Sequence, residues 1–174
     1  MSTATRPLPL AASGARTPAA LAVLATEARV APLVARVALG ALLFPHGAQH
    51  ALGWFGGYGF AGTLGWMTNT LGFPAPAAAL AIAGELLAPV ALVLGLGTRV
   101  AAVGVVALML GAASTHLANG LFMNWFGALP AGAEGFEYHL LVIALAAVVA
   151  VDGGGALSVD RRLAPAARRG GRTA

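Results

Sequence analysis

Four long apolar stretches, at about 31–51, 75–97, 98–118 and 136–152, dominate this chain. Each comes close to the roughly 20 residues that a helix needs to cross a hydrocarbon core of about 30 Å. All ten basic residues flank these stretches on alternate connections. Arg6, Arg16, Arg29 and Arg36 precede or open the first, Arg99 separates the second from the third, and Arg161, Arg162, Arg168, Arg169 and Arg172 follow the fourth. The connections 52–74 and 119–135 carry no Arg or Lys. Positive residues gather on cytoplasmic connections, so the pattern predicts an all-α, polytopic membrane four-helix bundle with both termini cytoplasmic. Its expected organisation is a disordered cytoplasmic tail over 1–29, a four-span domain over 30–163 and a basic cytoplasmic tail over 164–174.

Composition agrees. With 59% hydrophobic and only 9% charged residues, a soluble domain of 174 residues would lack the polar surface to cover its core. The net charge of +4 does not imply nucleic acid, because the arginines sit at membrane flanks and form no basic face with interleaved aromatics. Anionic inner-leaflet lipid is the expected partner. The absence of Cys excludes disulfides and thiol chemistry by the chain itself. The short apolar run Ala19 to Ala25 has the length of a minimal signal-peptide core ending near Ala28, but a cytoplasmic tail accounts for the same residues with fewer assumptions.

The connection after the first span reads Gly53-Trp54-Phe55-Gly56-Gly57-Tyr58-Gly59-Phe60, followed by Trp66, Phe73 and Pro74. Aromatic rings beside a span belong at headgroup level. The segment is either such a belt on flexible spacers or a piece that dips back along the bundle under protein cover. Phe122, Trp125 and Phe126 form a similar belt after the third span.

Ionisable residues inside the apolar stretches are the candidates for chemistry. Glu85 lies about ten residues into the second span, at a depth of roughly 15 Å. Pro89 removes an N–H and thereby releases the carbonyl of Glu85 itself, so one spot offers a carboxyl and a free backbone carbonyl. Glu85 either carries a proton or fixes packing through a hydrogen bond. His46 and His50, four apart on the first span, share a helix face. With His116 near the end of the third span and His139 at the start of the fourth, all four imidazoles fall in one leaflet. They are read as contacts to a small molecule, as metal or haem ligands of a bundle core, or as interfacial residues. Arg36 and Arg99 lie where long side chains reach back to the interface, and Asp152 and Asp160 return to that end within reach of an ion pair with Arg99. Small residues four apart, such as Ala107 with Gly111, allow close helix approach.

Several segments together resemble the DoxX family of small bacterial and archaeal membrane proteins. They are Arg36-Val37-Ala38-Leu39-Gly40 leading to His46-Gly47-Ala48-Gln49-His50, then Phe55 to Gly59, Gly84-Glu85, Gly95 to Arg99 and Gly155 to Asp160, in order over about 33–163. The resemblance implies a four-helix membrane bundle and association with quinone-linked redox systems, since relatives occur in quinol oxidation and thiosulfate to quinone electron transfer. His50 stands where relatives carry Lys, so any anion held there is held only by a protonated imidazole. The expected function is an inner-membrane subunit of a quinone-linked redox system whose partner protein carries the redox centre. Glu85, His46 and His116 are the expected proton-handling residues, and His50, His139, Gln49 and Arg36 the expected cofactor-binding ones. Quinone is the expected cofactor, ahead of haem or metal. No metal ligands are assigned. A proton-coupled transporter built on Glu85, or a scaffold for soluble redox enzymes, are the alternatives. Self-association is left open.

Overall fold

The computed structural model describes residues 24–130 and 133–164. The N-terminal tail through residue 23, including most of the Ala19 to Ala25 run, and the basic tail beyond Ala164 lie outside the described residues. The described residues are helical wherever they are regular, without a strand. The helices are α1 (Val30–Leu52), α2 (Gly59–Asn69), α3 (Ala75–Leu94), α4 (Thr98–His116), α5 (Glu137–Asp152) and α6 (Val159–Leu163).

Glycine sets the helix ends. Gly53 closes α1 at φ +74° and Gly95 closes α3 at φ +70°, a left-handed conformation that only glycine adopts without steric cost. The second apolar stretch therefore stops at Leu94, three residues short of its hydropathy limit, and Gly97 at φ +57° starts α4. Three helical segments, Val30–Leu52, Ala75–Leu94 and Thr98–Asn119, are long and apolar enough to cross a membrane. At 16 residues, α5 is shorter.

The long helices pack as neighbours in the order α1, α3, α4, α5, with α5 returning to α1. Their shared core contains Leu39 and Leu43 of α1, Leu92 of α3, Val105 of α4, and Val142 and Val149 of α5. Large apolar side chains also cover the outside of the helices, among them Leu42, Leu80, Leu87, Val100 and Leu141. Faces that are apolar both inward and outward suit a lipid surrounding and not water.

Helix α1 crosses α3 at two glycines. A Cβ at Gly40 would lie 2.5 Å from Val93 Cγ2 and 2.7 Å from the Pro89 carbonyl, and one at Gly47 would lie 2.1 Å from the Glu85 carbonyl oxygen. The carbonyl that Pro89 leaves without its helical partner is thus covered by the bare backbone of Gly47. The connection between α1 and α3 is no flexible spacer. After a 3-10 turn over Trp54–Gly56 it forms α2, which packs on both α1 and α3. Gly57 seats this connection on α1, because a Cβ there would fall 2.3 Å from the Gln49 carbonyl.

At the end of the bundle where α1 begins, polar groups are interlocked. Arg36 is 1% exposed. It donates from Nε to the Gly154 carbonyl at 2.7 Å, from Nη1 to Leu92 and Val93 at 2.8 and 2.6 Å, and from Nη2 to Ala156 at 3.2 Å. It does not reach back to the interface, as the sequence suggests, because the end of α3 and the turn between α5 and α6 offer it carbonyls. Nor does Arg99 pair with an aspartate. Its guanidinium donates to the carbonyls of Ala150, Val151 and Ala25. Asp152 instead meets Arg29 at 2.5 Å, and the buried Asp160 accepts from the backbone N–H groups of Gly97 and Thr98 at 2.7 and 2.8 Å, at the start of α4. Thr26, just before α1, joins the same network by donating to the Asp152 carbonyl and accepting from the Gly155 N–H.

Candidate functional site

The opposite end of the bundle holds the ionisable layer, and its placement follows from helical periodicity. Side chains seven residues apart lie nearly above one another on a helix, about 20° from exact register. Seven residues from a residue of the core, or in α4 from one packed against it, stands an ionisable residue: His50 beyond Leu43, Glu85 before Leu92, His116 beyond Met109 and His139 before Ala146. The stripe that buries the core therefore carries one acid and three imidazoles at its far end.

Two pairs form within this layer. His50 Nδ1 and Glu85 Oε2 lie 2.5 Å apart and join α1 to α3. Both side chains are partly open, at 38% and 24% exposure. The His116 and His139 rings sit with centroids 4.8 Å apart and join α4 to α5. His116 Nδ1 also meets the Ala112 carbonyl at 2.9 Å, one turn back, which orients its Nε2 away from its own helix. Tyr138 packs edge-on to His139 at 5.9 Å. Among the described residues no three of His, Asp and Glu lie together in a way that could hold a metal ion.

The other expected site residues separate from these pairs. His46 is exposed, because each i to i+4 step turns about 40° and His50 occupies the angle that faces α3. Gln49 Nε2 donates to the Phe55 carbonyl at 3.3 Å and so holds the connection after α1. Arg36 lies 14 residues before His50 on the same helix, about 21 Å away by helical rise, with its donors already occupied by carbonyls. A small headgroup beside His50 does not reach it.

The pairing of His50 with Glu85 is not evident from depth along each span, which places Glu85 mid-span and His50 in the last turn of α1. Two signals point to it: the seven-residue offsets from Leu43 and Leu92, and a glycine at 47 opposite a proline-released carbonyl. Tyr138, packed against the core beside His139, carries no sequence signal beyond its place next to an imidazole.

An imidazole hydrogen-bonded to a carboxylate inside a bundle of apolar helices, three of them able to cross a bilayer, defines a polytopic membrane protein with an internal polar site. Its particular kind is given by comparison with known families: the DoxX family model matches residues 31–118, half of the chain and the whole of α1 to α4 apart from Val30. The chain belongs to the DoxX family. That match includes His46, His50, Glu85 and His116 and ends before α5, whereas the resemblance read from the sequence extends to about 163. No curated protein and no solved structure matches the chain.

Proposed function

We propose that this chain is a four-span protein of a bacterial or archaeal inner membrane, with both termini cytoplasmic, that serves a quinone-linked redox system. A quinol or related headgroup enters the ionisable layer from the outer leaflet. The single observation that carries this reading is the His50–Glu85 contact of 2.5 Å on the interior stripe of two apolar helices. A carboxylate and an imidazole in such surroundings are costly to keep without a function. Together they pass a proton over a short distance, as general acid–base transfer requires. A quinol loses two protons and two electrons. In this mechanism Glu85, through His50, takes one proton and the His116–His139 pair takes the other. The electrons leave to a partner protein that holds the redox centre.

The test is gentle purification followed by extraction of bound quinones, a visible spectrum, and titration with a quinone analogue. Wild-type protein is expected to bind the analogue, and Glu85→Gln and His116→Ala to bind it more weakly at matched folding. Equal binding by all three overturns the reading. Proton flux into liposomes without any quinone binding favours the alternative, a transporter built on the same pair.

A further inference from the structure

The connection between α4 and α5 is built inside out. In water a loop of this length turns its aromatics inward and its polar side chains outward. Here Asn119, Asn124 and Glu134 are half-buried and spend their polar atoms within the loop. Asn119 Nδ2 donates to the Glu134 carbonyl at 2.9 Å, Glu134 Oε2 accepts from the Asn124 N–H at 2.6 Å, and the Asn124 side chain both donates to and accepts from the Leu129 backbone at 3.1 and 2.9 Å. The base of the loop is closed by backbone bonds from Phe136 to Gly120 and from Glu137 to Leu121. Gly135 fits there because a Cβ would lie 2.2 Å from the Phe122 carbonyl. What the loop displays is Phe122, Trp125 and Phe126, at 72%, 75% and 98% exposure.

A second observation bears on what covers this face. Helix α5 has 16 residues, about 24 Å by helical rise and so roughly 6 Å short of a hydrocarbon core. The aromatic loop leads directly into its first turn. We propose that this loop is seated in the lipid boundary between headgroups and acyl chains, with Phe122, Trp125 and Phe126 against lipid, and that it supplies the apolar depth α5 lacks. Trp125 suits that boundary, since its ring is displayed while its Nε1 points back to Glu137 Oε1 at 3.4 Å. The loop's role rests on the reading that α5 crosses the membrane.

The chain has three tryptophans, so Trp54→Phe with Trp66→Phe leaves Trp125 as the only emitter. In phosphatidylcholine liposomes, lipids brominated on the upper acyl chain are expected to lower its emission about twofold, and aqueous iodide to change it little. Phe126→Glu in that background is expected to weaken the lipid quenching while leaving melting in detergent unchanged, because the ring touches little of the fold. Strong iodide quenching without lipid quenching, as for a face reserved for a protein partner, overturns the proposal, as does lipid quenching that ignores Phe126→Glu. A C-terminal reporter separates the two readings. An extracytoplasmic C-terminus removes the fourth crossing and with it the loop's compensating role, whatever Trp125 reports. A cytoplasmic C-terminus with a water-quenched Trp125 overturns the placement of the loop alone.

Discussion

Replacing Arg36 by Met keeps the length and apolar stem of the side chain and deletes its donors. The guanidinium is 1% exposed and four carbonyls from two chain segments converge on it at 2.6 to 3.2 Å. Not all four are equally dependent. The Leu92 carbonyl also accepts from the Gly95 N–H at 3.1 Å, so it keeps a partner, while Val93, Gly154 and Ala156 lose theirs. An unsatisfied buried acceptor costs about 1–3 kcal/mol, and relief from desolvating the cation returns part of that sum. With that relief set against three carbonyls that lose a charged donor, the net cost is about 3–5 kcal/mol, which is a large share of a typical stability of about 5–15 kcal/mol. The expected result is a melting temperature in detergent lowered by roughly 6 to 20 °C for a chain of this size. Arg36→Lys should lie between, since an ammonium has three donors and no planar fork. Binding of a quinone analogue, measured per folded molecule, should not change, because Arg36 stands about 21 Å from His50. A melting temperature within about 2 °C of wild type, less than 1 kcal/mol for a chain of this size, refutes the role of Arg36 as the clamp between α3 and the end of α5. A selective loss of analogue binding instead returns Arg36 to the cofactor site that the sequence suggests.

Reporter fusions at Thr98 and at the C-terminus should give cytoplasmic signals and a fusion at Gly62 the opposite one; an external C-terminus removes the four-span topology. Gly47→Ala should destabilise the protein by about 1–3 kcal/mol through overpacking and push His50 from Glu85, since its Cβ would meet the Glu85 carbonyl at 2.1 Å. Gly104→Ala on α4, where a Cβ meets nothing within 4 Å, should be neutral or slightly stabilising. Equal melting temperatures for the two variants contradict the close α1–α3 crossing. Asp160→Ala should cost about 1–2 kcal/mol, the usual loss for a group capping a helix start, and Asp160→Asn less; thermal melts that rank them the other way sink the capping assignment.

Local sequence determined the elements of this protein. Apolar runs place the spans, and Gly53, Gly95 and Gly97 stop or start helices where only glycine tolerates the backbone. The family was legible too, carried by motifs that lie on α1, on α3 and between α3 and α4. What the tertiary structure alone decided is which polar groups meet. Depth in a span is a property of one helix, whereas contact depends on the register and rotation of two. For α1 and α3 that register is set by Gly40 and Gly47 against Pro89, Val93 and Glu85, and it brings the last turn of one helix to the middle of the other. The same limit explains Arg36 and Asp160. A charged residue near a span end reads as interfacial until the fold supplies carbonyls or helix-start N–H groups to receive it, and here the end of α3, the turn after α5 and the start of α4 do so.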